Sequence, residues 1–421
     1  MVTARSGQRP PQRVAVVGAG MVGLATAWFL QERGCEVVVL DRTGVAAGAS
    51  WGNAGWLTPT LTTPLPEPAI LRYGLRAVIS PASPVYVPLA ADLQLARFLL
   101  GFVRNSTARR WGVGVRALQP LTRRALDAFD ALEAGGVVTP TIDAKSFIAC
   151  YRSVDERRAF VTELEHIAAV GQEVDYELLS GDEARDIEPA LSDAVAAAIR
   201  IHGQRYLDPP AYVAALAESV KARGGELREG VTVRAIDDDG AGVTITASRQ
   251  APERFDAVVL ATGAWLGALA RRFGVRMVVQ AGRGYSFSVP MERVPAGPVY
   301  LPTQRVACTP LGERLRVAGM MEFRRPEAPL DPRRIAAIIA ATRPMLRGAD
   351  FEARTDEWVG SRPVTPDGLP LIGPTRSRRV FVGGGHGMWG IVLGPVTGQL
   401  LAEAITTGVT PPELIPFDPL R

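Results

Sequence analysis

Of the 421 residues, the run from Val14 to Asp41, VAVVGAGMVGLATAWFLQERGCEVVVLD, constrains the fold most. Val14 to Val17 is a short apolar segment suited to a buried parallel strand. Gly18, Gly20 and Gly23 come next as G-x-G-x-x-G. The residues after them have a helical period that stops at Gly34, and a second apolar run ends in Asp41. Each part of this strand–turn–helix–strand unit serves the binding of a dinucleotide. Gly18 makes the tight turn, Gly20 lets the backbone touch a pyrophosphate, and Gly23 lets the helix pack close to the sheet. The helix start offers free N–H groups and a partial positive charge to the phosphates. Asp41 accepts hydrogen bonds from ribose hydroxyls and repels a 2′-phosphate, so the ligand is FAD or NAD rather than NADP. The contacts expected here are Gly18, Gly20, Met21, Val22, Gly23, Asp41 and Arg42.

The segment after Asp41 separates FAD from NAD. An NAD domain would continue with further βαβ units. Here the chain enters a loop of small residues, RTGVAAGASWGNAGWLTP, able to pass close to a flat ring and offer it backbone N–H groups. A surface loop is the alternative reading. ELREGVTVRAI, GVTITAS and FDAVVLATGAWL read as strands, the last ending in the turn Ala261-Thr262-Gly263. Near the C-terminus RVFVGGGHG reads as a strand feeding a second glycine-rich turn that opens a helix, GGGHGMWGIVLGPVTGQLLAEAI. FAD is long enough to need both ends held. The first helix would take the pyrophosphate and the second would face the pyrimidine edge of the isoalloxazine. A helix N-terminus there stabilises the anion of reduced flavin by about 0.3–2 kcal/mol. The further FAD contacts expected are Ser50, Asn53, Ala54, Gly55, Val233, Ala261, Thr262, Gly263, Trp265, Gly385, His386, Gly387, Met388, Trp389, Gly390 and Ile391.

Length alone favours two domains. A net charge of +4 gives no argument for nucleic acid, and the basic residues are almost all arginine, the lysines being Lys145 and Lys221. Cys35, Cys150 and Cys308 are scattered, without metal-ligand or disulfide spacing. We expect inert thiols in a reducing compartment and no metal. The start MVTARSGQRPPQ has no apolar signal core, which points to a cytoplasmic protein. The apolar stretch Val14 to Leu30 falls just short of a membrane span.

Together VVGAGMVGLATAWFL, VVVLDR, GASWGNAGWLTP, ATGAW, GSRPVTPDGLPLIG and GGGHGMWGIVLGPVTGQLLAE resemble the FAD-dependent D-amino acid dehydrogenases. These belong to the wider group of D-amino acid oxidase, glycine oxidase and sarcosine oxidase. The resemblance covers nearly the whole chain in order. It implies an α/β fold, a discontinuous FAD-binding Rossmann-like domain of the glutathione-reductase type. A second α+β domain, built on a mostly antiparallel sheet, would hold substrate over the flavin. The segments expected are 11–88, 200–275 and 359–421 for the first domain, 89–199 and 276–358 for the second. The implied reaction oxidises an amino acid to an imino acid, which water hydrolyses to a 2-oxo acid and ammonia. FAD would be bound non-covalently.

Arg362, in GSRPVTPDG, stands where this group places its carboxylate-binding arginine, and a guanidinium fork matches a carboxylate bidentately. Tyr285 and Tyr300 are candidates for substrate contact, with core packing as the alternative. His386 is a candidate base, with capping of the turn as the alternative. The strand VACTPLGERLRVAGMMEF lacks the tyrosine expected of the oxidases, and neither lysine lies in a flavin motif. The absence of a lysine there leans toward a dehydrogenase, which would pass electrons to a quinone or other acceptor. Competing readings are an oxidase or dehydrogenase of a secondary amine such as glycine, sarcosine or a proline analogue, and an electron-relay subunit with no substrate of its own. Thr58 to Pro88 is rich in proline and reads as a connector or active-site loop. LAADLQLARFLLGFVRNSTARRW reads as an amphipathic helix, packed on the core or lying against a membrane surface.

Overall fold

The computed structural model describes residues 11–68, 83–88 and 92–421. Among these, a six-stranded sheet has the order Glu226–Arg228, Glu36–Leu40, Arg13–Val17, Ala257–Leu260, Val380–Gly384, Leu371–Pro374. All neighbours are parallel except the last pair. The strands are apolar on both faces because both faces are covered. Val14 and Val16 point to a core shared with the helices Met21–Glu32, Pro209–Ala222 and Gly394–Thr407. Ala15 and Val17 point to the other face, against the antiparallel strands Val233–Asp238, Val243–Ala247 and Glu253–Phe255.

The first and last helices pack directly on one another. A Cβ built on Gly398 would lie 2.6 Å from the backbone of Ala25 and Thr26, so glycine lets the two axes approach. The last helix begins at Gly394 rather than at the glycine turn, and residues 387–393 form successive turns in between. Its start stands beside that of the first helix: a Cβ on Gly394 would lie 2.5 Å from Met21 Cγ. The two helix openings are therefore neighbours.

The second sheet is nine-stranded. Its path runs Thr355–Val364, Gln280–Pro290, Arg314–Phe323, Val306–Leu311, Val299–Leu301, Phe147–Tyr151, Ala197–Ile201, Tyr176–Ser180, with Val85–Tyr86 added beside Arg314–Phe323. Pairing is antiparallel except where Val299–Leu301 meets Phe147–Tyr151 and where Val85–Tyr86 joins. Helix Pro332–Thr342 covers part of one face through Ile335 and Ile338.

Two of the boundaries expected from sequence fall inside strands of this sheet. Thr355–Val364 runs through 358/359 and pairs along its length with Gln280–Pro290, while Ala197–Ile201 runs through 199/200. Helix Ala125–Ala134, placed by sequence in the second domain, buries Ala125, Ala128, Phe129 and Leu132 in the first core. The amphipathic segment forms the helices Leu93–Asn105 and Ala108–Thr122, separated at Ser106 and Thr107. Part of the proline-rich stretch, residues 69–82, lies outside the described residues, as does 89–91. No helix among the described residues is long and apolar enough to cross a membrane.

Candidate active site

The G-x-G-x-x-G turn lies at the carboxyl ends of the parallel strands, where open α/β sheets bind ligands. Gly18 has φ 116° and donates its N–H to Leu40 O at 2.8 Å, which closes the turn between neighbouring strands. A Cβ on Gly23 would lie 1.9 Å from Gly18 O, so this glycine is required for helix and turn to touch. Gly20 opens instead toward the cleft, its nearest neighbour being Ser50 Oγ at 3.2 Å from a built Cβ. Ser50 Oγ accepts from Met21 N–H at 3.2 Å, tying the small-residue loop to the helix start. Asp41 accepts from Ala19 N–H at 2.9 Å and from Thr43 and Gly44 N–H at 2.8 and 2.9 Å.

A long cleft runs from here between the sheets. Gly18, Gly20, Met21, Val22, Asp41, Arg42, Ser50, Asn53, Val233, Ala261, Thr262, Gly263 and Trp265 line it. His386, Gly387, Met388, Gly390 and Ile391 line it too, together with Arg362 and Pro363. The Arg42 guanidinium lies 3.7 Å from the centre of the Trp265 ring. The cleft suits FAD on its own chemistry: it has a free helix start and an acid beside it. The Thr262 hydroxyl is also buried without a hydrogen-bond partner. Ala47, Gly48 and Ala49 of the small-residue loop also line it, as do Thr232 and Arg234, whose residue types nothing marks in the sequence.

Five of the expected cofactor contacts do not line this cleft. Gly23 is under the turn. Ala54 and Trp389 face a second cavity instead, where Trp389 Nε1–H donates to Thr63 O at 2.7 Å. Gly55 turns the chain with φ 77°, and its N–H bonds Asn53 Oδ1 at 2.8 Å. Gly385 likewise serves the turn, with φ 72°. The loop around Asn53 is pinned to the second sheet by Ser286 Oγ–H donating to Gly52 O at 2.9 Å and Thr309 Oγ1–H to Ala54 O at 2.6 Å.

The second cavity is a chamber bounded by the second sheet and the 53–67 loop. Asn53, Arg362 and Met388 line both chamber and cleft, so the two meet there. Arg362 is held inside the protein over Gly284, where a Cβ would fall 2.1 Å from the guanidinium carbon. One N–H donates to Met320 O at 2.9 Å. Met320 has φ 63°, in the left-handed region, and sits in a bulge of Arg314–Phe323 opposite Gly284. Among the described residues no carboxylate pairs with Arg362, and burial pushes its pKa down to about 10.

The other expected catalytic residues part company. Tyr300 lines the chamber. Tyr285 does not: it is fully buried beneath the sheet, and its hydroxyl donates to the Glu322 carboxylate at 2.5 Å. Glu322 also pairs with Arg283 and Arg324, so Tyr285 belongs to an ionic cluster inside the second sheet. Its position on an alternating strand is the reason: Tyr285 faces the helix side, and the chamber side at this register belongs to Gly284. His386 Nε2 shares a hydrogen bond with the Thr397 hydroxyl at 2.9 Å, and burial pushes its pKa down to about 3. Gly387 N–H donates to Pro363 O at 2.8 Å, which locks the glycine turn onto the strand that carries Arg362.

The chamber also holds Glu67, Glu163 and Arg305, which sequence reasoning missed. Glu163 sits in DERRAFVTELEH, where no spacing sets it apart from Glu156 or Glu165. Cys35, Cys150 and Cys308 are free and buried, and among the described residues no cluster of metal-ligating side chains occurs.

The DAO family model, FAD dependent oxidoreductase, matches residues 13–404. A D-amino acid dehydrogenase of Xylella fastidiosa (strain 9a5c) is 31% identical over 400 residues, which is 93% of this chain and 92% of the relative. One from Cereibacter sphaeroides (strain ATCC 17029 / ATH 2.4.9) is also 31% identical, over 93% of this chain and 91% of the relative. Among solved structures, glycine oxidase from Geobacillus kaustophilus superposes with a TM-score of 0.73 at 24% identity, covering 97% of this chain and 99% of that one. With the βαβ unit, the cleft and the matched span in agreement, the chain belongs to the DAO family of FAD-dependent oxidoreductases.

Proposed function

We propose that this enzyme oxidises a D-amino acid to its imino acid, which water then hydrolyses to a 2-oxo acid and ammonia. The observation that carries this reading is Arg362, a half-buried guanidinium with no carboxylate partner among the described residues, where the two cavities meet. A buried charge without a partner is costly, and a substrate carboxylate is the group that relieves it. A pure electron relay has no use for such a residue.

FAD, when bound, supplies the acceptor for the hydride leaving the α-carbon. The rest is work for the chain's own groups. Gly18, Gly20, Met21 and Val22 would hold the pyrophosphate and Asp41 a ribose. Arg42 and Trp265 would wall the same end, and Gly387, Met388, Gly390 and Ile391 the flavin end. Arg362 would fix the substrate carboxylate, with Met320 O occupying one of its donors and leaving the others to the ligand. Trp389 and Met388 would exclude water from the reacting carbon. His386 is neutral and tied to Thr397, so it offers no free base. The amino group must then arrive already neutral, and position supplies most of the rate.

The D configuration rests on the names of the curated relatives. Lys145 and Lys221 line neither cavity, which supports an acceptor other than oxygen, such as a quinone. Leu93, Leu100 and Val103 are exposed on Leu93–Asn105 beside Arg104, a face suited to the membrane surface where quinones reside. We divide the chain into an FAD half and a substrate half as the sequence suggested, with 200–201 and 359–364 moved to the substrate half and Ala125–Ala134 to the FAD half.

The test is anaerobic titration of the purified yellow protein with D- and L-amino acids, glycine, sarcosine and proline. Bleaching by D-amino acids supports the reading. Bleaching by secondary amines or L-amino acids alone overturns it. Reoxidation by a quinone analogue, faster than by oxygen, supports the acceptor.

A further inference from the structure

One end of the chamber carries more acid than base. Glu67 and Arg305 pair at 2.8 Å, and Glu163 lines the same wall. Among the described residues Glu163 accepts no hydrogen bond and forms no ion pair, although Glu67 and Arg305 are its electrostatic neighbours. Two carboxylates thus face one guanidinium. Arg305 keeps 37% of its side chain accessible and Glu67 12%, and both line the chamber. Arg305 holds its place with φ 54°, a left-handed conformation that a non-glycine residue adopts at a cost.

A second observation points to a ligand. The Thr58 hydroxyl is fully buried, lines the chamber and has no hydrogen-bond partner. The Trp56 indole N–H is likewise buried and unpartnered on a chamber-lining residue. Aromatic rings complete the wall. Trp56 and Tyr300 lie edge to face with ring centres 5.3 Å apart, and Phe160 stands 6.0 Å from Tyr300. Carboxylates among aromatic rings form the surroundings a cation prefers.

We propose that this end of the chamber is a side-chain subsite for a cation, so that the preferred substrates are D-amino acids bearing a guanidinium or ammonium group. The inference rests on the reading of Arg362 as the carboxylate anchor, because Arg362 borders both cavities and a substrate held there, with FAD in the cleft, has the chamber left for its side chain. Glu67, Glu163 and Arg305 are absent from the cleft lining and present only in the chamber. A neutral side chain would leave Glu163 either ionised and unpaired in the half-buried chamber wall or forced to hold a proton. Burial and Glu67 already push its pKa up to about 7. A cationic side chain meets the surplus carboxylate and removes that cost.

The experiment compares D-arginine with D-citrulline, its neutral isostere, on the holoenzyme by anaerobic flavin reduction. D-lysine, D-norleucine, D-glutamate and D-alanine complete the panel. The expected result is kcat/KM at least tenfold higher for D-arginine than for D-citrulline. In Glu163→Gln, with FAD content checked by absorbance, that ratio should fall toward one, and Glu163→Asp should restore part of it. Equal rates for D-arginine and D-citrulline in the unaltered enzyme overturn the proposal, as does a preference for D-glutamate. An unchanged ratio in a folded, flavin-loaded Glu163→Gln also overturns it. If D-alanine and D-norleucine reduce the flavin while the cations hold no advantage, the subsite fails and the reaction stands. If no D-amino acid reduces it, the underlying reading of the reaction fails instead.

Discussion

Replacing Arg362 by methionine separates a charge kept for a ligand from a charge kept for the fold. Methionine retains much of the stem that packs over Gly284 and removes the guanidinium alone. Burial holds the Arg362 pKa near 10, against an ordinary 12.5. At 1.36 kcal/mol per unit, keeping this charge in the ligand-free protein costs about 3 kcal/mol. A substrate carboxylate offsets that cost through charge-assisted hydrogen bonds of about 1.5–3 kcal/mol each. Loss of the pair should therefore lower kcat/KM by about 3 kcal/mol or more, a factor of at least roughly 150. The substrate-free holoenzyme should at the same time be no less stable, because an uncompensated charge has gone. The assays are stopped-flow flavin reduction and a denaturant midpoint on flavin-matched samples. A carboxyl-blocked substrate, the D-amino acid amide, should distinguish the two proteins far less than the free acid does. The anchoring role of Arg362 is refuted if Arg362→Met binds FAD, keeps kcat/KM within about threefold and loses stability like an ordinary core mutant.

Other substitutions probe the geometry around this anchor. Gly284→Ala puts a methyl 2.1 Å from the guanidinium carbon and should displace it, lowering kcat/KM at least tenfold while the protein stays yellow. Gly23→Ala places a methyl 1.9 Å from Gly18 O and should yield protein with little or no FAD, read as the ratio of visible to ultraviolet absorbance. His386 titrates near 3 when folded and near 6.5 when unfolded. Only the unfolded chain binds this proton across that window, so stability falls as pH drops from 6.5 toward 3. The slope from this residue is at most about 1.4 kcal/mol per pH unit. His386→Gln should flatten the dependence of unfolding free energy on pH there and leave it unchanged above pH 7.

Local sequence determined the cofactor half of this protein. The glycine spacing, the apolar runs on either side and Asp41 are fixed by contacts within one βαβ unit, so their meaning is readable without the rest of the chain. Arg362 was legible for a different reason, through the motif around it. Tertiary structure alone decided the second sheet and the chamber beside it. Tyr285 and Gly284 are adjacent in sequence, yet strand alternation turns one to the core and leaves the other under the guanidinium. Glu67, Glu163 and Arg305 come from a proline-rich loop, a helix and a short strand connection, and no spacing relates them. Their chemistry arises from being brought to one wall, where burial and mutual charge change what each would be in water. The glycine turn near the C-terminus was visible as a turn, but its distance from the helix start at Gly394 was not. Nor was the packing of the last helix on the first at Gly398, a contact between opposite ends of the chain that no local spacing announces.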